Sequence, residues 1–228
     1  MGKLKSNFIS LASHEFRTPL SGILTSATLL GKHINQKSIP VSKHLNVIKS
    51  LVKHLNNILD DFLSLERVEK GDVQYEFTYF PLNEVINDVI NESNTFLKNG
   101  QTIQYTACKE CPEMYQDKKI IYVILTNIIF NAIKYSHENT TIEIVVLKDK
   151  DISVFVSDNG IGIPLEDQKY IFKRFFRASN TEHLQGTGIG LNIVKSNIEA
   201  LGGKISFESI ENSGSTFTIC IPQSITTI

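Results

Sequence analysis

The sequence predicts an α-helical hairpin, two copies of which pair into a dimeric four-helix bundle, followed by an α+β two-layer sandwich. Two observations carry this reading. Apolar residues in the first seventy positions recur mostly at three- and four-residue steps. Beyond Gly71-Asp72, strand-like alternation mixes with helical stretches, as an α+β layer structure requires. The boundary divides the chain into residues 1–70 and 71–228.

Phe8, Leu11, Ala12, Leu20, Ile23, Leu24, Ala27 and Leu30 mark the first amphipathic helix, and the polar stretch His33–Pro40 is a loop. In the second helix Leu45, Ile48, Val52, Leu55, Leu59 and Phe62 alternate steps of three and four, the 3.5-residue period of a coiled-coil seam. One hairpin cannot cover its own seam, so a homodimer through four helices is expected. The first helix starts without a capping residue before Lys3, which reads as a fragment whose upstream part is missing. Gly71-Asp72 breaks the second helix. Val73–Phe80 alternates like a strand, and Pro81 opens a helix that stops near Gly100. Asp117 is placed to cap a helix running to Tyr135. Thr141–Lys148 and Ile152–Ser157 read as a strand pair across a tight turn. A helix over Gly190–Leu201 ends at Gly202-Gly203, and strands Lys204–Ser209 and Ser215–Ile221 finish the chain.

Composition removes several classes of function. The chain has 228 residues with 23 basic against 24 acidic side chains, which argues against a sequence-independent nucleic-acid binder. Every apolar run stops well short of the roughly 20 residues a membrane-spanning helix needs, and Met1-Gly2-Lys3-Leu4 opens no signal-peptide core. Three cysteines do not make a disulfide framework, so a cytoplasmic location is expected, with any membrane attachment through the missing upstream region. Cys108-x-x-Cys111 is at most half a zinc site.

Four clusters are able to carry chemistry. In Ser13-His14-Glu15-Phe16-Arg17-Thr18-Pro19-Leu20, the neighbouring apolar positions point to the seam and leave His14 on the surface. Pro19 bends the helix beside it. Glu15 is placed to hold or remove a ring proton, leaving the other nitrogen a nucleophile; a surface histidine with no role is the alternative. Asn127, Asn131 and Lys134, followed directly by Tyr135, form the second cluster; positions 127, 131 and 134 fall within about 60° on one helix face, where side-chain oxygens suit Mg²⁺ and the amine suits phosphate, unless this is a solvated face. Asp158-Asn159-Gly160-Ile161-Gly162 leaves a strand end with a carboxylate able to accept from an amine and glycines that admit a flat ligand, though an ordinary turn has the same composition. Gly186-Thr187-Gly188-Ile189-Gly190-Leu191 opens a helix and presents N–H donors to phosphate, or is a flexible linker. It lacks the lysine and hydroxyl pair of a Walker loop, and its third glycine comes too soon for a dinucleotide fingerprint. Between the last two clusters, Phe172–Arg177 interleaves aromatic and basic residues as a lid over a triphosphate would.

Taken in this order, the five boxes resemble the sensor histidine kinases of two-component systems, over about Asn7 to Pro222. The resemblance implies a dimerisation and histidine-phosphotransfer domain at 1–70. It implies an ATP-binding domain of the gyrase, heat-shock chaperone and mismatch-repair superfamily at 71–228. By that resemblance His14 is the phospho-acceptor, Glu15 its general base, and Asn131 a Mg²⁺ ligand, with Asn127, Lys134 and Tyr135 lining the nucleotide. Asp158 accepts from the adenine amino group beside Gly160 and Gly162. Arg177 contacts the γ-phosphate, and Gly186, Thr187, Gly188, Gly190 and Leu191 surround the phosphates. The implied activity is ATP-dependent autophosphorylation and transfer to an aspartate of a response regulator. Glu15 with Thr18 three positions later resembles the signature of kinases that also dephosphorylate that regulator. A conformational ATPase using the same pocket, and a dimeric scaffold gated by nucleotide, are the rivals.

Overall fold

A computed structural model describes Phe16, residues 19–30, scattered helical positions between 41 and 59, and residues 75–108, 113–181, 184 and 186–223. His14, Glu15 and Thr18 lie outside the described residues. Residues 19–30 are helical, as are positions 44, 45, 47, 48, 51, 52, 55 and 59 of the second predicted helix. The two runs approach closely at Gly22, where an added Cβ would lie 2.7 Å from Leu51 Cδ1. Several apolar side chains of this region face solvent, among them Leu24 at 69%, Leu20 and Val41 at 54% and Leu45 at 44% exposure. No described helix is long and apolar enough to cross a membrane.

The rest of the described chain is built from β1 (Phe77–Pro81), α1 (Leu82–Ser93), β2 (Thr102–Thr106), β3 (Glu113–Asp117), α2 (Lys118–Tyr135), β4 (Thr141–Lys148), β5 (Asp151–Asp158), α3 (Gly190–Ala200), β6 (Lys204–Ile210) and β7 (Gly214–Pro222). Five strands form one mixed sheet in the order β2-β4-β5-β7-β6. Its only parallel pair is β2 with β4; the other neighbours run antiparallel. β1 and β3 make a separate antiparallel ribbon.

The elements differ from the sequence reading in three places. The described part of the first strand begins at Phe77, not Val73. The helix behind Pro81 ends at Ser93 and tightens into one 3-10 turn, Asn94–Phe96, so it stops before Gly100. β2 and β3 were not foreseen. β3 is short and polar (Glu-Met-Tyr-Gln-Asp), yet its Gln116 is fully buried, donating from Nε2 to the Pro222 carbonyl at 2.9 Å.

Parity and period set what faces the core. In α2, Ile121, Ile124, Leu125, Ile128, Ile129 and Ala132 are buried, one stripe of a helix, which leaves positions 123, 127, 131 and 134 on another side. In β5, Ile152, Val154 and Val156 are buried. Side chains alternate along a strand, so Asp158 must point inward with them at the strand's end. Ser215 stands opposite Asp158 in the register of β7 and shares the inward parity of Phe217, Ile219 and Ile221. The sheet thus brings a carboxylate and a hydroxyl to one end of the core, under the helices.

Both ends of α2 are fixed by named partners. Asp117 accepts from the N–H groups of Lys119 (2.9 Å) and Ile120 (3.1 Å) at the N-terminus, satisfying two of the donors that every helix start leaves free. At the C-terminus Lys98 Nζ donates to the carbonyls of Lys134 (2.7 Å) and Ser136 (2.5 Å). Gln101 Nε2 donates to those of Ile133 (3.2 Å) and His137 (3.0 Å). The helix that carries Asn127, Asn131 and Lys134 is therefore fixed at both ends before any ligand arrives.

Candidate nucleotide-binding site

Where α2, the end of β5 and the start of α3 meet, they enclose a cavity of about 490 Å³. Asn127, Asn131, Lys134, Tyr135, Asp158, Gly162, Arg177, Gly186, Thr187, Gly188, Gly190 and Leu191 all line it. Gly160 stands just behind the wall, its N–H donating to Asp158 Oδ1 at 2.9 Å. Three chain segments separated by dozens of residues are thus brought to one hollow.

The polar row of α2 faces the glycine loop across short gaps. A Cβ added at Gly190 would lie 2.5 Å from Asn127 Oδ1, and one at Gly186 would lie 2.6 Å from Lys134 Nζ. Asn127 Nδ2 donates back to the Val123 carbonyl at 2.9 Å, which turns its carbonyl oxygen toward the cavity. Lys134 Nζ lies 4.8 Å above the Tyr135 ring. The end of α2 is tied to the Asp158 loop by Ile161 N–H donating to the Tyr135 carbonyl at 3.1 Å.

Asp158 forms a buried floor, 9% exposed. Burial pushes its carboxyl up to about 6, with the backbone N–H groups of Gly160 and Ser215 pulling partly the other way. A charge out of water is costly, so a further hydrogen-bond donor would stabilise this buried carboxylate.

Gly188 takes φ +68, a conformation in which glycine pays no Cβ penalty. Its carbonyl accepts from Phe175 N–H at 3.0 Å. Phe175 itself has φ +61, which costs a side chain of this size roughly 1–2 kcal/mol. Thr187 is 7% exposed, and its Oγ1 accepts from Ile189 N–H at 3.3 Å. The loop leads into α3, whose first-turn N–H groups favour an anion.

In the segment Phe172–Arg177, Asn192 of α3 donates from Nδ2 to the Phe172 carbonyl at 3.0 Å and accepts from Arg174 Nε at 3.3 Å. Arg177 lines the cavity, but its Nη2 donates to the carbonyls of Thr181 (2.5 Å) and Leu184, and its Nε is buried without a partner. As it stands, Arg177 braces the segment's own backbone.

Sequence reasoning missed part of the wall. Val123, Thr126 and Phe130 line the cavity beside Asn127 and Asn131. A step of four back from Asn127 would have found Val123, and successive steps of four back from Lys134 would have found Phe130 and Thr126. Glu92 and Ser215 also line it, and only tertiary packing brings them there. Tyr122 donates to Glu92, and that bond raises the phenol to about 12.

Comparison with known proteins places this geometry. Residues 4–71 match the His Kinase A (phospho-acceptor) domain. Residues 116–225 match the histidine kinase-, DNA gyrase B-, and HSP90-like ATPase family. The chain is 33% identical over 226 residues to the signal transduction histidine-protein kinase BarA of Escherichia coli strain K12, covering 94% of this chain and 24% of that protein. It thus spans about a quarter of that relative's length. Among solved structures, the catalytic domain of histidine kinase ThkA is 33% identical, with a TM-score of 0.56 over 65% of this chain and 97% of that one. The Acinetobacter baumannii histidine kinase AdeS is 26% identical, with a TM-score of 0.66 over 92% of this chain and 98% of that one. A helical phospho-acceptor region followed by an α+β sandwich of the ATPase family, in one chain, assigns this protein to the two-component sensor histidine kinases, of which it is a catalytic core.

Proposed function

We propose that residues 71–228 bind ATP with Mg²⁺, that His14 in residues 1–70 takes the γ-phosphoryl group, and that an aspartate of a separate response regulator receives it next. The observation that carries this reading is the convergence on one cavity of the Asn127–Asn131–Lys134 row, the Asp158 floor and the glycine loop at the start of α3.

The roles follow from donor and acceptor chemistry. Asp158 accepts from the adenine amino group, which adds a donor to those its buried carboxylate has from the Gly160 and Ser215 backbone. Lys134 and the loop N–H groups take the phosphate oxygens. Asn131, with a side-chain oxygen in the cavity wall, fits as a ligand to Mg²⁺, which when bound offsets phosphate charge. A ring nitrogen of His14 attacks the γ-phosphorus in line. The N–P bond forms as the bond to the β,γ-bridging oxygen breaks, ADP leaves, and Glu15 takes the ring proton. Arg177 is a contact for the γ-phosphate once it exchanges the Thr181 and Leu184 carbonyls for phosphate oxygens. The solvent-facing Leu20, Leu24, Val41 and Leu45 support a homodimer through residues 1–70, which would cover these large apolar side chains.

Asn131→Ala tests the nucleotide part. Calorimetry with ATP is expected to show at least about a tenfold loss of affinity in Mg²⁺, and little change in its absence. Unchanged binding in Mg²⁺ would move the metal elsewhere. We further infer that the chain dephosphorylates its regulator. The sequence spacing puts Thr18 three residues after Glu15, one face of the helix it predicts, where a short hydroxyl is able to orient water for in-line attack on an aspartyl phosphate. In Thr18→Ala, autophosphorylation is expected to survive while decay of phosphorylated regulator in the presence of ADP slows about tenfold or more. Decay at the parent rate would remove Thr18 from that role.

A further inference from the structure

Among the described residues, two buried polar atoms in one short stretch have no hydrogen-bond partner, and they are complementary. Arg177 Nε is a donor and Asn180 Oδ1 an acceptor. A buried polar atom left unpaired is costly and calls for a physical reason. Chemistry fixes which way the Asn180 amide points. Its Nδ2 faces the carbonyls of Gly162 at 3.0 Å and Ile161 at 3.4 Å, and a carbonyl only accepts, so Oδ1 is the atom turned away from them.

Asn180 belongs to a turn anchored on the adenine side of the cavity. Within the 3-10 turn Ser179–Thr181, Ser179 donates to Asp167 Oδ2 from its N–H and from its hydroxyl, each at 2.8 Å. The loop that Asn180 grips is itself fixed. Gly162 has φ +59, and a Cβ there would meet the Ile210 carbonyl oxygen at 2.0 Å. Gln168 Nε2 donates to the Ile163 and Ser209 carbonyls at 3.0 Å each. Arg177, three residues before Asn180, lines the cavity together with Gly162 and Thr181, and its Nη2 donates to the carbonyls of Thr181 and Leu184. We propose that Asn180 is a positioning residue that links the base end of the nucleotide site to its γ-phosphate end. Its Nδ2 stays on the Gly162 carbonyl, and its Oδ1 accepts from Arg177 Nε when Nη2 leaves the Thr181 and Leu184 carbonyls for phosphate. Both orphaned atoms are then paired, and a long side chain is aimed from a fixed loop. The proposal rests on the kinase reading above, in which Arg177 meets the γ-phosphate.

A double-mutant cycle in the whole chain tests it. Asn180→Ala is expected to lower the autophosphorylation rate at saturating ATP about tenfold, with ADP affinity within about twofold of the parent, since ADP brings no γ-phosphate to Arg177. In an Arg177→Ala background the same substitution is expected to cost less than about twofold, because residues that act through one another are not additive. A second full loss in that background, or an unchanged rate in Asn180→Ala, would overturn the role. So would ADP affinity falling as far as the rate, which a purely structural loss at Gly162 would produce. A readout without catalysis covers the case in which Asn180→Ala folds poorly. In the parent, exchange of the Arg177 Nε proton, followed by NMR, is expected to slow about fivefold or more when a non-hydrolysable ATP analogue replaces ADP. Equal exchange with the two ligands would overturn the pairing, and slowing that persists in folded Asn180→Ala would place the proton on phosphate and overturn it as well. Slower exchange in a parent that takes up no phosphoryl group would keep the pairing and overturn the kinase reading instead.

Discussion

Asp158→Asn is expected to abolish most adenine-nucleotide affinity and, at neutral pH, to make the ligand-free protein more stable. The two effects have one cause. Asp158 is 9% exposed and its carboxyl is pushed up to about 6 from an ordinary 3.8, mainly by burial. A carboxylic acid whose folded value lies above its unfolded one binds its proton more tightly when folded. Stability therefore falls as pH rises from about 4 to about 6 and stays lower above that. The gap of about two units corresponds to something on the order of 3 kcal/mol at pH 7.5. Asparagine carries no charge to bury and keeps an oxygen to accept from Gly160. The unliganded variant should melt several degrees higher than the parent at pH 7.5, and close to it at pH 4.5, where Asp158 is already protonated. ADP should bind about 10- to 100-fold more weakly, the worth of a hydrogen bond to a charged group, and in the parent the affinity should drop as pH falls below about 6. Calorimetry and thermal melts at the two pH values check both halves. Unaltered ADP affinity in the variant would remove Asp158 from the floor of the adenine site.

His14→Gln is expected to leave nucleotide affinity within about twofold of the parent while removing all stable phosphoryl uptake. Glutamine approximates the length of the ring and has no nucleophilic nitrogen. The cavity is built from α2, β5 and α3, and His14 is assigned no part in holding the nucleotide, so binding and chemistry are expected to separate. Label that persists on the glutamine variant after incubation with γ-labelled ATP would show another acceptor.

Legibility in the sequence followed from how local each signal is. Asn127, Asn131 and Lys134 were readable because one helix face is a matter of counting residues. Asp158 and the glycine loop were readable because each sits at an element's end, marked by glycines. β2 and β3 were not readable. β2 pairs with β4 from Thr102↔Thr141 to Thr106↔Val145, and β3 pairs with β1 from Phe77↔Asp117 to Pro81↔Glu113. Each carries few apolar residues, and the partners that make them strands are dozens of residues away. Ser215 joins the floor only through its register opposite Asp158. The sequence led to the expectation of a γ-phosphate contact at Arg177, but its hold on the Thr181 and Leu184 carbonyls was not legible, because backbone acceptors in an irregular segment leave no pattern. The contact of Phe16 with Ile189 and Ile193 likewise belongs to tertiary packing alone.

The most direct measurement is the fate of the γ-phosphoryl group. The chain is incubated with γ-labelled ATP and Mg²⁺, and protein-bound label and free phosphate are followed in the same samples. A histidine kinase core retains label approaching one phosphoryl group per acceptor site, stable in alkali and lost in acid as a phosphoramidate is, and passes it to an added receiver domain. Steady release of inorganic phosphate with no label on the protein at any time would contradict the account and mark the chain as a conformational ATPase that uses the same cavity.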